Sequence, residues 1–360
     1  MQASYISTRN LTGAMRQSIL GMQTQLAQAE QEQSTGRLAD VGATLGSETR
    51  QTVSLRAQQA QLQAITDSNN VVSTRLSSTV QALSGIQQTA QTFLNNLTTD
   101  QADSTSPSII QQQAADGLQN LIAGLNTSVG GQYLFAGVNT DVKPVSDYST
   151  NPPSLSKQAV DAAFQAAYGM SQSDPNVANI TPAQMQSFLS GPFAQLFQPG
   201  PAATPGPSSN WSDWSSASDK VISNRISTSE LVDTSVSANQ PSMQQLAMAY
   251  TMISDLGLPN MNQATQEVML QAATAATGVG VQDLTGIQAS LGLTQQRITN
   301  SNNQMSLQIN ILNTQDQNLE NVDPYKTATL VNNLTTQIET SYQLTAQIQN
   351  LSLAKLLTGL

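Results

Sequence analysis

The side chains able to do chemistry in this chain are few, and most are carboxylates. Asp213, Asp219 and Asp233 lie close together in sequence and could offer hard oxygen ligands to a cation such as Ca²⁺. Their spacing does not follow the twelve-residue calcium loop, so helix caps and solvated carboxylates are the simpler reading. Paired carboxylates could also cleave a glycosidic bond, but separation in space decides that, and no pair stands out. Gly278-Val279-Gly280 lacks the third glycine and the preceding strand of a dinucleotide loop, and reads as a helix interruption. Trp211 and Trp214 could stack on an external ligand, but two such large side chains are expected in a core. Sequons such as Asn96-Leu97-Thr98 are expected by chance in a chain this rich in Asn, Ser and Thr.

Two absences remove whole classes of activity. With no histidine, Ser-His-Asp and Cys-His catalysis, His-ligated zinc and proximal-His haem are excluded. With no cysteine, thiol nucleophiles, iron–sulfur clusters and disulfides go as well. Neither a metal, a cofactor nor an enzymatic activity is expected. Only 10% of residues are charged, against roughly 25% in an ordinary soluble domain. The net charge of −10 with 13 scattered basic residues gives no footprint for nucleic acid or for an anionic membrane. No stretch approaches the ~18 apolar residues of a membrane span, and the N-terminus lacks the basic and apolar regions of a cleaved signal.

With so little chemistry to position, the elements themselves carry the information. Leu11, Met15, Ile19, Met22, Leu26 and Ala29 step at intervals of three and four, a narrow helical stripe. Gly36, within Ser34-Thr35-Gly36-Arg37, is placed to end that helix in a left-handed cap. A connector over 41–46 follows, with Ser47 as the expected N-cap of the next helix. The cleanest heptad comes next. Leu55, Leu62, Asn69, Leu76, Leu83, Ala90 and Leu97 step by seven, and Ile65, Val72, Thr79, Ile86 and Phe93 fill the second seam position. The polar Asn69 in this seam is of the kind that can fix register at some cost in stability. A helix over 47–98 would span roughly 78 Å, far more than a globular core requires. Asp103-Ser104-Thr105-Ser106-Pro107 breaks it before a shorter helix from Ile109 to Leu125.

Between 141 and 230 the composition changes. Ten of the 14 prolines, both tryptophans and four of the six phenylalanines lie in or near this stretch, and heptads vanish. A separate middle domain with an aromatic core is expected, with helices over 161–168 and 182–189, an exposed loop over 198–207, and short strands near 134–138 and 220–226. Heptads then return. Leu284, Leu291, Ile298, Met305, Leu312 and Leu319 step by seven, but after Ile287 their partners are Thr294, Ser301, Gln308 and Gln315, which suits a wetter contact. Asp323-Pro324 is a helix start, and the last helix carries Leu330, Leu334, Ile338, Tyr342, Ile348, Leu351 and Leu356.

The fold expected is mainly α, with long N- and C-terminal helices packed as an antiparallel coiled-coil-like rod and an inserted mixed α/β middle domain. The corresponding divisions are 1–46, an N-terminal assembly helix and connector; 47–140, one half of the rod; 141–230, the insert; 231–322, the other half; and 323–360, a C-terminal assembly helix. A monomeric helical bundle with a Pro-rich insertion is the plainer alternative.

The residues also carry a family resemblance. Gly130-Gly131-Gln132-Tyr133-Leu134-Phe135-Ala136-Gly137-Val138-Asn139-Thr140, followed by Lys143-Pro144, resembles the glycine–aromatic segment of hook–filament junction proteins of the flagellin family. Ser34-Thr35-Gly36-Arg37 is similar to the family's first helix stop, and residues 325–342, closing on Leu351-Ser352-Leu353, resemble its C-terminal helix. Where many members continue into an acidic Asp-Asp-Pro turn, this chain has Gly42-Ala43-Thr44-Leu45-Gly46-Ser47. The resemblance implies a structural flagellar adaptor joining hook to filament, exported unfolded by the flagellar type III route without a cleaved signal. Its implied partners are further copies of itself, neighbouring hook-associated or hook protein, flagellin and an export chaperone, with no nucleic acid and no membrane insertion. Its implied location is the extracellular flagellum. The implied assembly residues are Leu11, Met15, Ile19, Met22 and Leu26 with Leu334, Ile338, Tyr342, Ile348 and Leu351, and the motif residues are Gly131, Tyr133, Leu134, Phe135 and Gly137. Filament flagellin, or an exported enzyme or binding module with its site in 141–230, are the alternatives.

Overall fold

The first apolar stripe folds as α1 (Thr8–Thr35) in a computed structural model that describes residues 8–100, 106–202 and 206–357. The helix stops where glycine permits it. Gly36 takes φ 69° and its N–H closes onto Glu32 O at 2.8 Å. The expected connector is not a plain loop. Asp40 Oδ1 accepts from Ala43 N and starts α2 (Val41–Leu45), which runs into a 3₁₀ turn at Gly46–Glu48. Ser47 lies inside that turn and is not an N-cap, because the chain is already helical when α3 (Thr49–Asp100) begins. Every residue of the Leu55-to-Leu97 seam is buried, Asn69 included. Residues 103–105 of the expected break lie outside the described residues, and Pro107 opens α4 (Pro107–Leu125).

Two two-residue strands follow, β1 (Ser128–Val129) and β2 (Gln132–Tyr133), paired antiparallel. Gly130 and Gly131 join them with φ 60° and 81°, the conformation a two-residue hairpin turn needs. The strand expected over 134–138 is absent. Leu134 N bonds to Thr127 O, Phe135 O to Ala238 N, Ala136 O to Ser218 N, and Val138 N to Lys220 O. Partners from such separate segments cannot form a ladder. Next come α5 (Leu155–Tyr168), N-capped by Ser154, and α6 (Pro182–Phe188), which opens on a capping box between Thr181 and Gln184. The later strand expectation survives as β3 (Ser223–Arg225), antiparallel to β4 (Leu231–Asp233).

Helix returns with α7 (Pro241–Asp255), α8 (Gln263–Glu320) and α9 (Pro324–Leu357). The interruption expected at Gly278-Val279-Gly280 does not occur, since α8 runs through it unbroken. A Cβ at Gly280 would sit 2.8 Å from the Leu246 side chain and 3.3 Å from Ser242 O. The glycine therefore lets α7 lie close against α8, and contact with α7 offsets its cost in helix propensity. Asp323 Oδ1 accepts from Tyr325 N and Lys326 N, and Pro324 takes the first helical position. Of the described residues 73% are helical, and among them are two small sheets, the mainly-α class expected.

Two units emerge. Residues 1–63 and 305–360 form one, and residues 64–304 the other, so α3 and α8 each contribute to both. In the larger unit α3 and α8 run antiparallel. As the α3 residue advances from Asn69 to Ser77 to Gln87, its hydrogen-bonded partner on α8 falls from Asn302 to Gln295 to Thr285. The amides and hydroxyls of the second seam are partly dry: Thr294 and Ser301 are buried, whereas Gln308 and Gln315 are exposed. The aromatic residues of 141–230 share one continuous core with α3, α4, α7 and α8. Phe164, Phe188, Phe193, Phe197, Trp214 and Trp211 follow one another at centroid distances of 5.1–5.9 Å. Both tryptophans are buried, so the core reading of them holds.

Candidate assembly surface

In the smaller unit, α1 and α9 pair along their length. Gln23 Nε2 donates to Tyr342 Oη at 2.9 Å midway along the two helices, and Arg37 bridges Asn321 where α1 ends and α9 is about to begin, so the two helices are antiparallel. The periodicity that built the stripes also sets what the pair hides. Ile19 on α1 and Leu334 and Ile338 on α9 are buried, while Met15, Met22, Leu26 and Ile348 are half-buried. Tyr342 keeps its ring exposed. The side chains of Leu11 and Leu351 lie outside the described residues. The sequence stripes therefore supply largely the seam within one chain. Outside it stand apolar side chains that the stripes did not include: Leu20, Leu307, Ile311, Tyr325 and Leu344, with Tyr325 86% exposed. The signal for them was their displacement from the seam period, as with Leu20 directly beside Ile19.

The foot of this pair is held by charge. Glu320, the last residue of α8, is only 1% exposed, and both its carboxylate oxygens are taken by Arg56 of α3. Asp316 shares the same guanidinium at 3.5 Å. Glu320 O accepts from Leu38 N, and Val322 N donates to Gly36 O, so the exit of α1 and the entry to α9 converge here.

In the larger unit the glycine–aromatic segment is a fixed structural element. Leu134, Phe135, Ala136 and Gly137 are buried, Tyr133 half-buried, and Gly131 exposed at the hairpin tip. Arg75 Nη2 donates to Tyr133 O at 3.0 Å and Nη1 to Gln132 Oε1 at 2.9 Å; burial lowers the Arg75 pKa. Gly137, at φ 63°, brings its Cα against two carbonyls. A Cβ there would lie 2.4 Å from Ser218 O and 2.6 Å from Lys220 O.

The carboxylates weighed as ligands are engaged otherwise. Asp213 is buried and accepts from Ser208 N and Ser209 N, Asp219 accepts from Asn239 Nδ2, and Asp233 from Ser223 Oγ. Among the described residues no group of three potential ligands could hold a metal ion. A cleft of about 530 Å³ lies beside α4, lined in part by Asp116, Asp147, Tyr148, Lys157 and Asp255. Its buried charge is internally matched. Tyr148 Oη donates to Asp255 at 2.6 Å, and Lys157 Nζ lies 3.4 Å from the same carboxylate. Burial pushes both Asp255 and Tyr148 up from their ordinary pKa values. No helix among the described residues is long and apolar enough to cross a membrane.

Comparison with known families gives two matches. Residues 6–140 match the bacterial flagellin N-terminal helical region, and residues 274–357 match the bacterial flagellin C-terminal helical region. No curated protein sequence matches the chain.

Proposed function

Because the chain belongs to the flagellin family, a family of structural flagellar components that self-assemble, we propose that it is the hook–filament junction member, hook-associated protein 3. In this reading the chain joins hook to filament. Its terminal helices, through Leu11, Met15, Ile19, Met22, Leu26, Leu334, Ile338, Tyr342, Ile348, Leu351 and the outward residues around them, make the contacts between copies and with neighbouring hook protein and flagellin. It reaches the cell exterior by flagellar type III export, with a dedicated chaperone holding the terminal segments beforehand. The observation that carries this over filament flagellin is the segment Gly130 to Thr140 with Lys143-Pro144, whose Gly131, Tyr133, Leu134, Phe135 and Gly137 match the junction pattern.

The solid aromatic core of 141–230 and the matched charges of the cleft beside it favour a mount over an active site. The test is complementation of a strain of the source bacterium lacking this gene. The full chain restores filaments, and a chain without residues 1–36 and 323–360 does not. Full filaments from the truncated chain would refute the reading.

A further inference from the structure

We infer that Arg75 of α3, with Val71 and the hairpin residues Val129 and Gln132, forms a docking point for a carboxylate carried by a different, neighbouring protein of the flagellum. The inference rests on the structural role proposed above and names the chemistry of one contact. Among the described residues of the larger unit, two basic side chains are half-buried, Lys157 and Arg75. Lys157 faces two carboxylates, Asp161 and Asp255. Arg75 makes no ion pair with any described residue. Its bonds go to neutral acceptors, Tyr133 O at 3.0 Å and Gln132 Oε1 at 2.9 Å, and its Nε is buried with no acceptor.

A half-buried charge without a counter-charge is costly. Holding the hairpin calls for hydrogen-bond donors and not for a net charge, so the clamp alone does not account for a cation here. The two bonds fix the guanidinium in advance, and each Nη keeps a further N–H with which to meet a carboxylate. The bond to Gln132 lies at the surface. Around it the rim is uncharged and partly apolar. Val71, one turn before Arg75 on α3, is 71% exposed, and Val129, opposite Gln132 in the hairpin, is 39% exposed. The site therefore fits a surface that presents an aspartate or glutamate with an apolar side chain beside it.

Val71→Glu tests this without removing either bond of Arg75. A glutamate four residues before an arginine on a helix pairs with it, so this variant supplies the missing carboxylate from within the chain and fills the docking point. Val71→Gln has the same shape without the charge. In the complementation strain both chains are exported, and the glutamate chain is at least as heat-stable as the glutamine chain. It nevertheless restores at least about tenfold fewer filaments per cell, as loss of a charge pair at an interface requires. Equal filament numbers overturn the inference, as does a glutamate chain less heat-stable than the glutamine one. Charge reversal identifies the partner. Arg75→Glu abolishes filaments, and revertants carry Lys or Arg in place of a carboxylate in hook-associated protein, hook protein or flagellin. Revertants altered only at carboxylates of this chain overturn that assignment in favour of a second copy. A wild-type chain that restores no filaments overturns the structural reading instead.

Discussion

Gly130 and Gly137 share a backbone conformation, φ 60° and 63°, but not surroundings. A Cβ at Gly130 meets nothing within 4 Å, whereas one at Gly137 meets Ser218 O at 2.4 Å and Lys220 O at 2.6 Å. Alanine at either position incurs the left-handed penalty of roughly 1–2 kcal/mol, partly offset by a less mobile unfolded chain. Gly130→Ala should therefore cost about 1 kcal/mol. At Gly137 two further effects add. Overpacking costs ~1–3 kcal/mol, and displacement of the 218–220 segment weakens Val138 N to Lys220 O and Ser218 N to Ala136 O, each worth about 1 kcal/mol. The two variants should then differ by about 3 kcal/mol, or roughly a hundredfold in the folding constant. Urea unfolding followed by fluorescence of Trp211 and Trp214, the chain's two tryptophans, reads that difference directly. Variants that agree to within about 1 kcal/mol would refute the claim that close packing, and not φ alone, demands Gly137.

Three further outcomes follow from burial and charge. Leu83 is fully buried in the α3 seam, so Leu83→Asp should destabilise by about 3–5 kcal/mol, and unchanged thermal unfolding would put the heptad register in error. Arg56→Met strands the Glu320 carboxylate and should cost about 3 kcal/mol, most of it recovered in Arg56→Met/Glu320→Gln; equal losses in both variants would deny Arg56 that role. Burial raises the pKa of Tyr148 and of Tyr250, and it pushes that of Tyr168 up to about 12. Below the unfolded tyrosine value near 10 both states stay neutral; above it the unfolded chain ionises first, so stability should fall steadily from about pH 10 to 12. A flat alkaline profile would contradict those burials.

How much of this was legible in the sequence depended on how local the cause was. The α3 seam, the Gly36 stop and the Asp323-Pro324 start rest on period and on single-residue conformational preference, and the structure shows each of them. Asn69 could be read as a register residue, but its partners could not: Asn302 Oδ1 at 2.7 Å and Ile226 O at 2.8 Å come from remote segments. Gly280 reads locally as a break, yet it serves Leu246 and Ser242 on another helix. Residues 134–138 have strand composition, but their hydrogen bonds go to separate segments, a fact no window of sequence contains. On the candidate surface the seam residues were visible as a stripe. The outward ones, Leu20, Tyr325 and Leu344, were not, because what exposes them is the pairing of α1 with α9.

The central claim is location. Gold-labelled antibody raised against residues 141–230, viewed by electron microscopy on whole cells and shed flagella, tests it most directly. The account predicts label confined to a short zone where hook meets filament. Label along the whole filament would make the chain a filament flagellin, and cells without any flagellar label would contradict the structural role altogether.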